Sequence, residues 1–235
     1  MPAPTVRSIR RYPVKAMGGE ALEHVRLDRR GLVGDRWYAV TDDDGYLASG
    51  KDSRRFRRRD AVFEHRARTT DEGVVVSGPG GSWMVGDPEL DAALSARTAV
   101  PVRVLPEGTL PHQDGGAVSL VGSATLDWCR KRLGVDADPR RLRVNLVLTT
   151  QEPFVEETWV GQDLDVSEVR IRVVERVQRC RTVDVAQDGV AAEARWLRAL
   201  GAERDLCLAV YADVLTPGRV AVGDAVTPGS VGGPP

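Results

Sequence analysis

Apolar residues along this chain recur mostly at alternate positions, in short runs cut by glycine, proline and aspartate. A period of two marks strands that bury one face. Residues 6–12 carry β-branched and aromatic residues, which also mark a strand, and stop at Pro13, which cannot donate to a ladder. The same signal predicts strands at 21–27, 37–41, 100–105, 118–121 and 142–149. Asp43-Asp44-Gly45 predicts a turn into Tyr46 and Leu47. Residues 74–77 and 83–85 flank Gly78-Pro79-Gly80-Gly81, the pattern of a hairpin. Further strands are expected at 164–166, 169–177, 206–215 and 220–222.

Helical spacing is rarer. It predicts a helix over 88–96 with Asp87 as N-cap, and one to Leu133 with Ser123 as its cap and Gly134 beyond. A third is expected over 190–200, closed by Gly201. The fold class expected is mainly β, built of β-barrel units with a few short helices. Residues 106–116 carry prolines and glycines and little apolar content, which reads as a linker. The expected organisation is an N-terminal barrel over 1–105, a second barrel over 106–228, and a frayed tail over 229–235.

With 235 residues, 42% hydrophobic and 29% charged, the chain can bury a core, which excludes wholesale disorder. A formal charge of −1 gives no overall attraction for nucleic acid or an anionic membrane. Cys129, Cys180 and Cys207 form no CxxC pair, which argues against a zinc site or an iron–sulfur cluster. No apolar run approaches ~18 residues, and residues 1–10 lack the pattern of a signal peptide. A reduced cytoplasmic protein is expected. His24, His65 and His112 are far apart, and Glu156 with Glu157 reads as a solvated loop.

All but three of the 33 basic residues are arginine. They are densest in Arg54-Arg55-Phe56-Arg57-Arg58-Arg59. Three readings stay open for that run: a solvated or ion-paired face, a site for an anionic ligand or redox partner, and a nucleic-acid footprint, the last without any supporting motif. Cys180 follows a strand and lies between Arg179 and Arg181. Neighbouring cations favour a thiolate, the form that attacks electrophiles and ligates metals.

Several motifs become specific when taken in order: Tyr12-Pro13-Val14-Lys15 with Gly18-Gly19 after it, then Gly31-Leu32-Val33-Gly34-Asp35-Arg36-Trp37. Arg143-Val144-Asn145, Arg179-Cys180-Arg181-Thr182-Val183-Asp184 and Tyr211 before Pro217-Gly218-Arg219 follow. Over about residues 5–227 the chain resembles a MOSC protein with its N-terminal β-barrel domain, and is most similar to the amidoxime-reducing proteins and their bacterial relatives. The resemblance implies a Mo-molybdopterin cofactor and two-electron reduction of a small N-hydroxylated substrate. It implies Cys180 as thiolate ligand to molybdenum, and Lys15 and Arg36 as contacts to the cofactor and its phosphate. Arg143 and Asn145 are implied at the pterin, with Gln178 and Arg179 before the metal cysteine and Tyr211 near the cofactor. Gly122, Ser123 and Ala124 match a cofactor-contacting turn at a helix start, where free N–H groups favour an anion. Asp184 is the candidate for proton handling.

Ala16 and Val185 depart from the serine and proline common in relatives at these places, and the insert between Asp184 and Tyr211 is short. No ferredoxin-like domain is appended, so electrons are expected from a separate ferredoxin, flavodoxin or cytochrome-type protein acting on a monomer. Two other readings use the same residues: a sulfur carrier holding a persulfide on Cys180, and a non-catalytic cofactor carrier.

Overall fold

The computed structural model describes residues 3–228, so the tail expected over 229–235 lies outside the described residues. Its largest sheet has eight strands, in the order Val226–Pro228, Asp163–Val166, Val169–Gln178, Cys207–Thr216, Val118–Gly122, Leu146–Thr149, Thr5–Arg11 and Glu20–Leu22. Strand Val169–Gln178 alternates buried and exposed residues over most of its length, as a one-sided strand should. Strand Val118–Gly122 is buried throughout and runs parallel to Leu146–Thr149. Its central place in the sheet leaves neither face to solvent.

The two ends of the chain are wound together. Thr5–Arg11 pairs with Leu146–Thr149, and Gly218–Ala221 pairs with His24–Asp28. The run expected as one strand over 21–27 is therefore two, broken at Glu23, because each half has a different partner. A smaller unit holds the four-stranded sheet Val102–Pro106, Tyr38–Asp42, Leu47–Ser49, Phe56–Arg58 and the meander Arg66–Thr70, Gly73–Gly78, Gly81–Met84. Helix Pro88–Thr98 covers this unit with Leu90 and Leu94, and Asp87 accepts from the Glu89 amide at 3.0 Å, as expected of its cap. Among the described residues no helix is long and apolar enough to cross a membrane.

Four local expectations are corrected. Strand Leu146–Thr149 starts late, because Asp138 caps a single turn, Pro139–Leu142, that ends on Arg143 at φ +52°. The last helix is Trp196–Arg204, with Gly201 inside it and its end at Asp205. Residues 56–58 and 66–70 are strands that the arginine content concealed. Glu156 is not in a solvated loop: it is fully buried in the short helical turn Val155–Trp159.

Candidate functional site

The end of strand Val169–Gln178, the turn Pro139–Leu142, the segment around Lys15 and the residues before Val118 enclose one cleft. It holds about 750 Å³ of free space, its open mouth included. Lys15, Arg36, Arg143 and Tyr211 line it, and the strand end adds Gln178, Arg179 and Cys180. Seven residues singled out in the sequence, scattered from 15 to 211, thus share one wall.

Backbone turns aim these side chains. Gly34 at φ +87° and Arg36 at φ +54° make the turn that the Gly-Asp-Arg order announces. The buried Asp35 carboxylate accepts from the Tyr12 amide at 2.7 Å and pairs with Arg36. Arg36 Nη2 donates to the Arg143 carbonyl at 3.0 Å. The Tyr12 ring is fully buried between the two guanidiniums, 4.4 Å from that of Arg143 and 5.1 Å from that of Arg36. An aromatic face near a cation offsets part of the cost of its burial. Burial still pushes the Arg143 pKa down to about 10, against the pull of Tyr12, so the group stays charged at neutral pH. For Arg36 burial pulls the same way, but Asp35 outweighs it and the pKa is raised.

Lys15 is almost wholly buried. Its Nζ donates to the His112 carbonyl at 2.7 Å and to Asp114 Oδ1 at 2.8 Å. Burial lowers the Lys15 pKa and Asp114 opposes the shift. Burial also disfavours the Asp114 carboxylate, yet Lys15 outweighs it and holds that carboxyl well below its usual range. Asp114 is the one carboxylate on the cleft wall among the described residues, facing the cations Lys15, Arg36, Lys51, Arg141, Arg143 and Arg179. Arg143 Nη2 and Arg179 Nη2 are buried without an acceptor. Leaving such a donor unpaired costs about 1–3 kcal/mol. The wall is therefore built for an anion that supplies acceptors. The half-buried Cys180 thiol lies in the same wall and donates to Thr182 Oγ1 at 3.3 Å.

The remaining candidates lie elsewhere. Asn145 braces the wall from behind: its Oδ1 accepts from Ser119 N at 3.1 Å and Oγ at 2.9 Å, and Ser119 lines the cleft. Gly122, Ser123 and Ala124 face away from it. Ala124 N donates to Thr150 Oγ1 at 3.2 Å, Ser123 Oγ accepts from Thr150 N at 3.1 Å, and a Cβ on Gly122 would stand 2.7 Å from Glu156 Oε2. Gly122, not Ser123, is the N-cap, so the helix start is closed by its own neighbours. Asp184 Oδ1 accepts from the Leu197 amide at 3.1 Å, and Asp184 does not line the cleft.

The sequence reading passed over Asp114, Ser119 and Arg141. Asp114 fell within the segment read as a linker, yet Asp114-Gly115-Gly116 carried a signal. A Cβ on Gly115 or Gly116 would stand 2.7 or 2.6 Å from the Tyr211 side chain, so only glycine lets this segment press against it. The dense arginine run proves largely bonded. Arg58 and Arg181 both hold Asp60, Arg59 holds Asp42, and Arg55 donates to the carbonyls of Pro111 and Asp114. Arg181, ahead of Arg58, outweighs the effect of burial and pulls the Asp60 pKa to about 2. Among the described residues no cluster of three or more His, Cys, Asp or Glu could hold a metal by itself.

Residues 107–227 match the family model of the MOSC domain, and residues 3–135 match that of the MOSC N-terminal beta barrel domain. Among solved structures the chain is similar to the YUAD protein from Bacillus subtilis, with 13% identity and a TM-score of 0.55 over 96% of this chain and 94% of that one, a likeness of fold. It is also similar to YiiM from Escherichia coli, with 11% identity and a TM-score of 0.44 over 97% and 69%. No curated protein matches the chain.

Proposed function

The chain belongs to the MOSC family, and from that premise we propose that it is a molybdenum-cofactor-dependent oxidoreductase that reduces N-hydroxylated compounds. The observation that carries this reading is the convergence of unpartnered guanidinium nitrogens on Arg143 and Arg179 with the Cys180 thiol in one cleft. A phosphate-bearing pterin supplies the missing acceptors, and its metal takes a thiolate. The cations would be superfluous for a persulfide alone.

Cys180, just past the end of strand Val169–Gln178, would supply molybdenum with a soft thiolate donor. Arg36, set on the Tyr12 ring, would hold the phosphate with Lys15 beside it, and Arg143, on the same ring, would face the pterin. Gln178, Arg179 and Tyr211 border the pterin. When bound, the cofactor supplies the two-electron exchange at the N–O bond of the substrate. The chain's part is to fix that group and keep its charge matched. Asp114 opposes the lowering of the Lys15 pKa that burial causes and accepts from its Nζ at 2.8 Å. Reduction of R–NHOH to R–NH2 and water consumes two electrons and two protons, the electrons delivered by a separate protein. Arg54 is exposed on the loop that carries Lys51 to the cleft and Arg57 is part-buried on the strand after it, and together they offer an acidic donor a place to dock.

The test is turnover of benzamidoxime with reduced methyl viologen, on protein from cells with an intact cofactor pathway. The expected result is benzamidine formation that Cys180→Ser abolishes. Metal-free protein with a persulfide on Cys180 would replace this reading by sulfur transfer.

A further inference from the structure

Arg141 lines the cleft and has no part in the function proposed above. It sits in the turn Pro139–Leu142 and is 2% exposed. Its Nη2 is anchored, donating to the Ala191 carbonyl at 2.6 Å and reaching Asp136 Oδ2 at 3.3 Å. Its Nε and Nη1 are buried and have no acceptor. The neighbouring Arg140 shows what a structural arginine does here. Its Nε and Nη2 bond Asp138 and its Nη1 bonds the Asp188 carbonyl, so no nitrogen is left over.

Two further guanidiniums join Arg141. Arg179 Nη1 donates to the Leu142 carbonyl at 2.8 Å, which places it beside the turn, and its Nη2 is left open. Arg143 Nη1 reaches Gln187 Oε1 at 3.4 Å, and its Nη2 is left open as well. Three guanidiniums, one buried and two part-buried, thus lie around Leu142, each tethered at one or two nitrogens and unsatisfied at another. Asp114, the wall's one carboxylate among the described residues, is engaged by Lys15. An anion that brought acceptors to these nitrogens would stabilise the group.

We propose that Arg141, with Arg143 and Arg179, forms a second oxyanion subsite, additional to the one that Lys15 and Arg36 serve, which takes a phosphate or carboxylate group of the ligand held in the cleft. This rests on the cofactor reading in one respect: the first anion is the cofactor's phosphate. The second comes from one of two sources, a further phosphate on the cofactor, as in a dinucleotide form, or an acidic group on the substrate.

The test follows thermal unfolding of the full chain, prepared without cofactor, against sodium phosphate and sodium pyrophosphate at constant ionic strength. A saturable rise in Tm of about 5 °C or more is expected for wild type at a hundredfold excess over Kd. Arg141→Gln should lose at least half of the rise, and Arg141→Lys should fall between. Equal saturable shifts in wild type and Arg141→Gln overturn the subsite. So does a wild type without any saturable shift, which needs no variant to fold.

The sources separate on loaded protein. One nucleoside monophosphate released by acid per molybdenum assigns the second anion to the cofactor. Without it, a rise in KM of about ten-fold in Arg141→Gln for a carboxylate-bearing N-hydroxy compound, and none for a neutral one, assigns it to the substrate. An extract without nucleotide together with unchanged KM ratios overturns the proposal. If molybdenum loads but oxyanions ignore Arg141, only this inference fails. If oxyanions bind through Arg141 but molybdenum never loads, only the cofactor reading fails.

Discussion

Two groups of arginines in this protein look interchangeable by composition and differ in how far their charge is bonded, although Arg59 also keeps a buried Nε without a partner. The run at 54–59 is dense in sequence, partly solvated and largely bonded: Arg58 has Asp60, Arg59 has Asp42, and Arg57 donates to backbone carbonyls and lies 3.3 Å from the centre of the Tyr46 ring. Arg141, Arg143 and Arg179 are sparse in sequence and buried in part or whole. Each keeps at least one nitrogen without a partner. Local density of charge therefore says little about where charge is free to act. A solvated cation costs little and does little. A cleft cation withheld from water with a donor left unpaired is held there by the fold at a cost, and that cost points to a ligand.

The contrast can be broken most severely at Arg143. Arg143→Gln is expected to reduce cofactor retention by about 10–100-fold, read as molybdenum per chain after gel filtration. Equal loss in Arg58→Gln would erase the distinction. Next comes the ring on which the cleft cations rest. Tyr12→Leu should cost about 3 kcal/mol in urea unfolding, since the side chain is fully buried and carries two cation contacts. Tyr12→Phe should be nearly neutral, because the buried hydroxyl has no partner to lose.

Asp60→Asn addresses the bonded group. Its carboxyl titrates at about 2 in the fold, below the ordinary value of about 3.9, so ionised Asp60 stabilises above that ordinary value. The contribution is lost as pH falls from about 4 to about 2. Wild type should show this acid limb and Asp60→Asn should not. At neutral pH the variant should be weaker by about 1 kcal/mol, the shift discounted because the site is open to water. Arg58→Gln should have the smallest effect, a urea midpoint indistinguishable from wild type, since Arg181 keeps its hold on Asp60 and no cleft residue moves.

Strand positions were legible where the period of two was clean, as at Val169–Gln178, and where β-branched and aromatic residues ran up to a proline, as at Thr5–Arg11. Arg66–Thr70 was not legible, because Ala67 is its one fully buried residue and arginine and threonine fill the rest. The third helix was misplaced because its start depends on a bond from Leu197 N to Asp184, thirteen residues away, which no local pattern reports. The cleft divides in the same way. Lys15, Arg36, Arg143, Gln178, Arg179, Cys180 and Tyr211 could be singled out because they sit in ordered motifs. Arg141 could not, because its significance lies in nitrogens left unpartnered by the packing around them. The turn Gly122–Ala124 misled for a related reason: a helix start attracts anions only while its amides are free, and here Thr150 and Glu156 have closed it.

The most direct measurement is the content of both pterin and molybdenum per chain, taken together for wild type, Cys180→Ser and Arg143→Gln from cells whose other cofactor enzymes are loaded. Near-stoichiometric amounts of both are expected in wild type. Cys180→Ser should keep pterin and lose metal, and Arg143→Gln should lose both. A wild type without pterin, or an Arg143→Gln protein loaded as fully as wild type, would contradict the assignment of the cleft to an anionic cofactor.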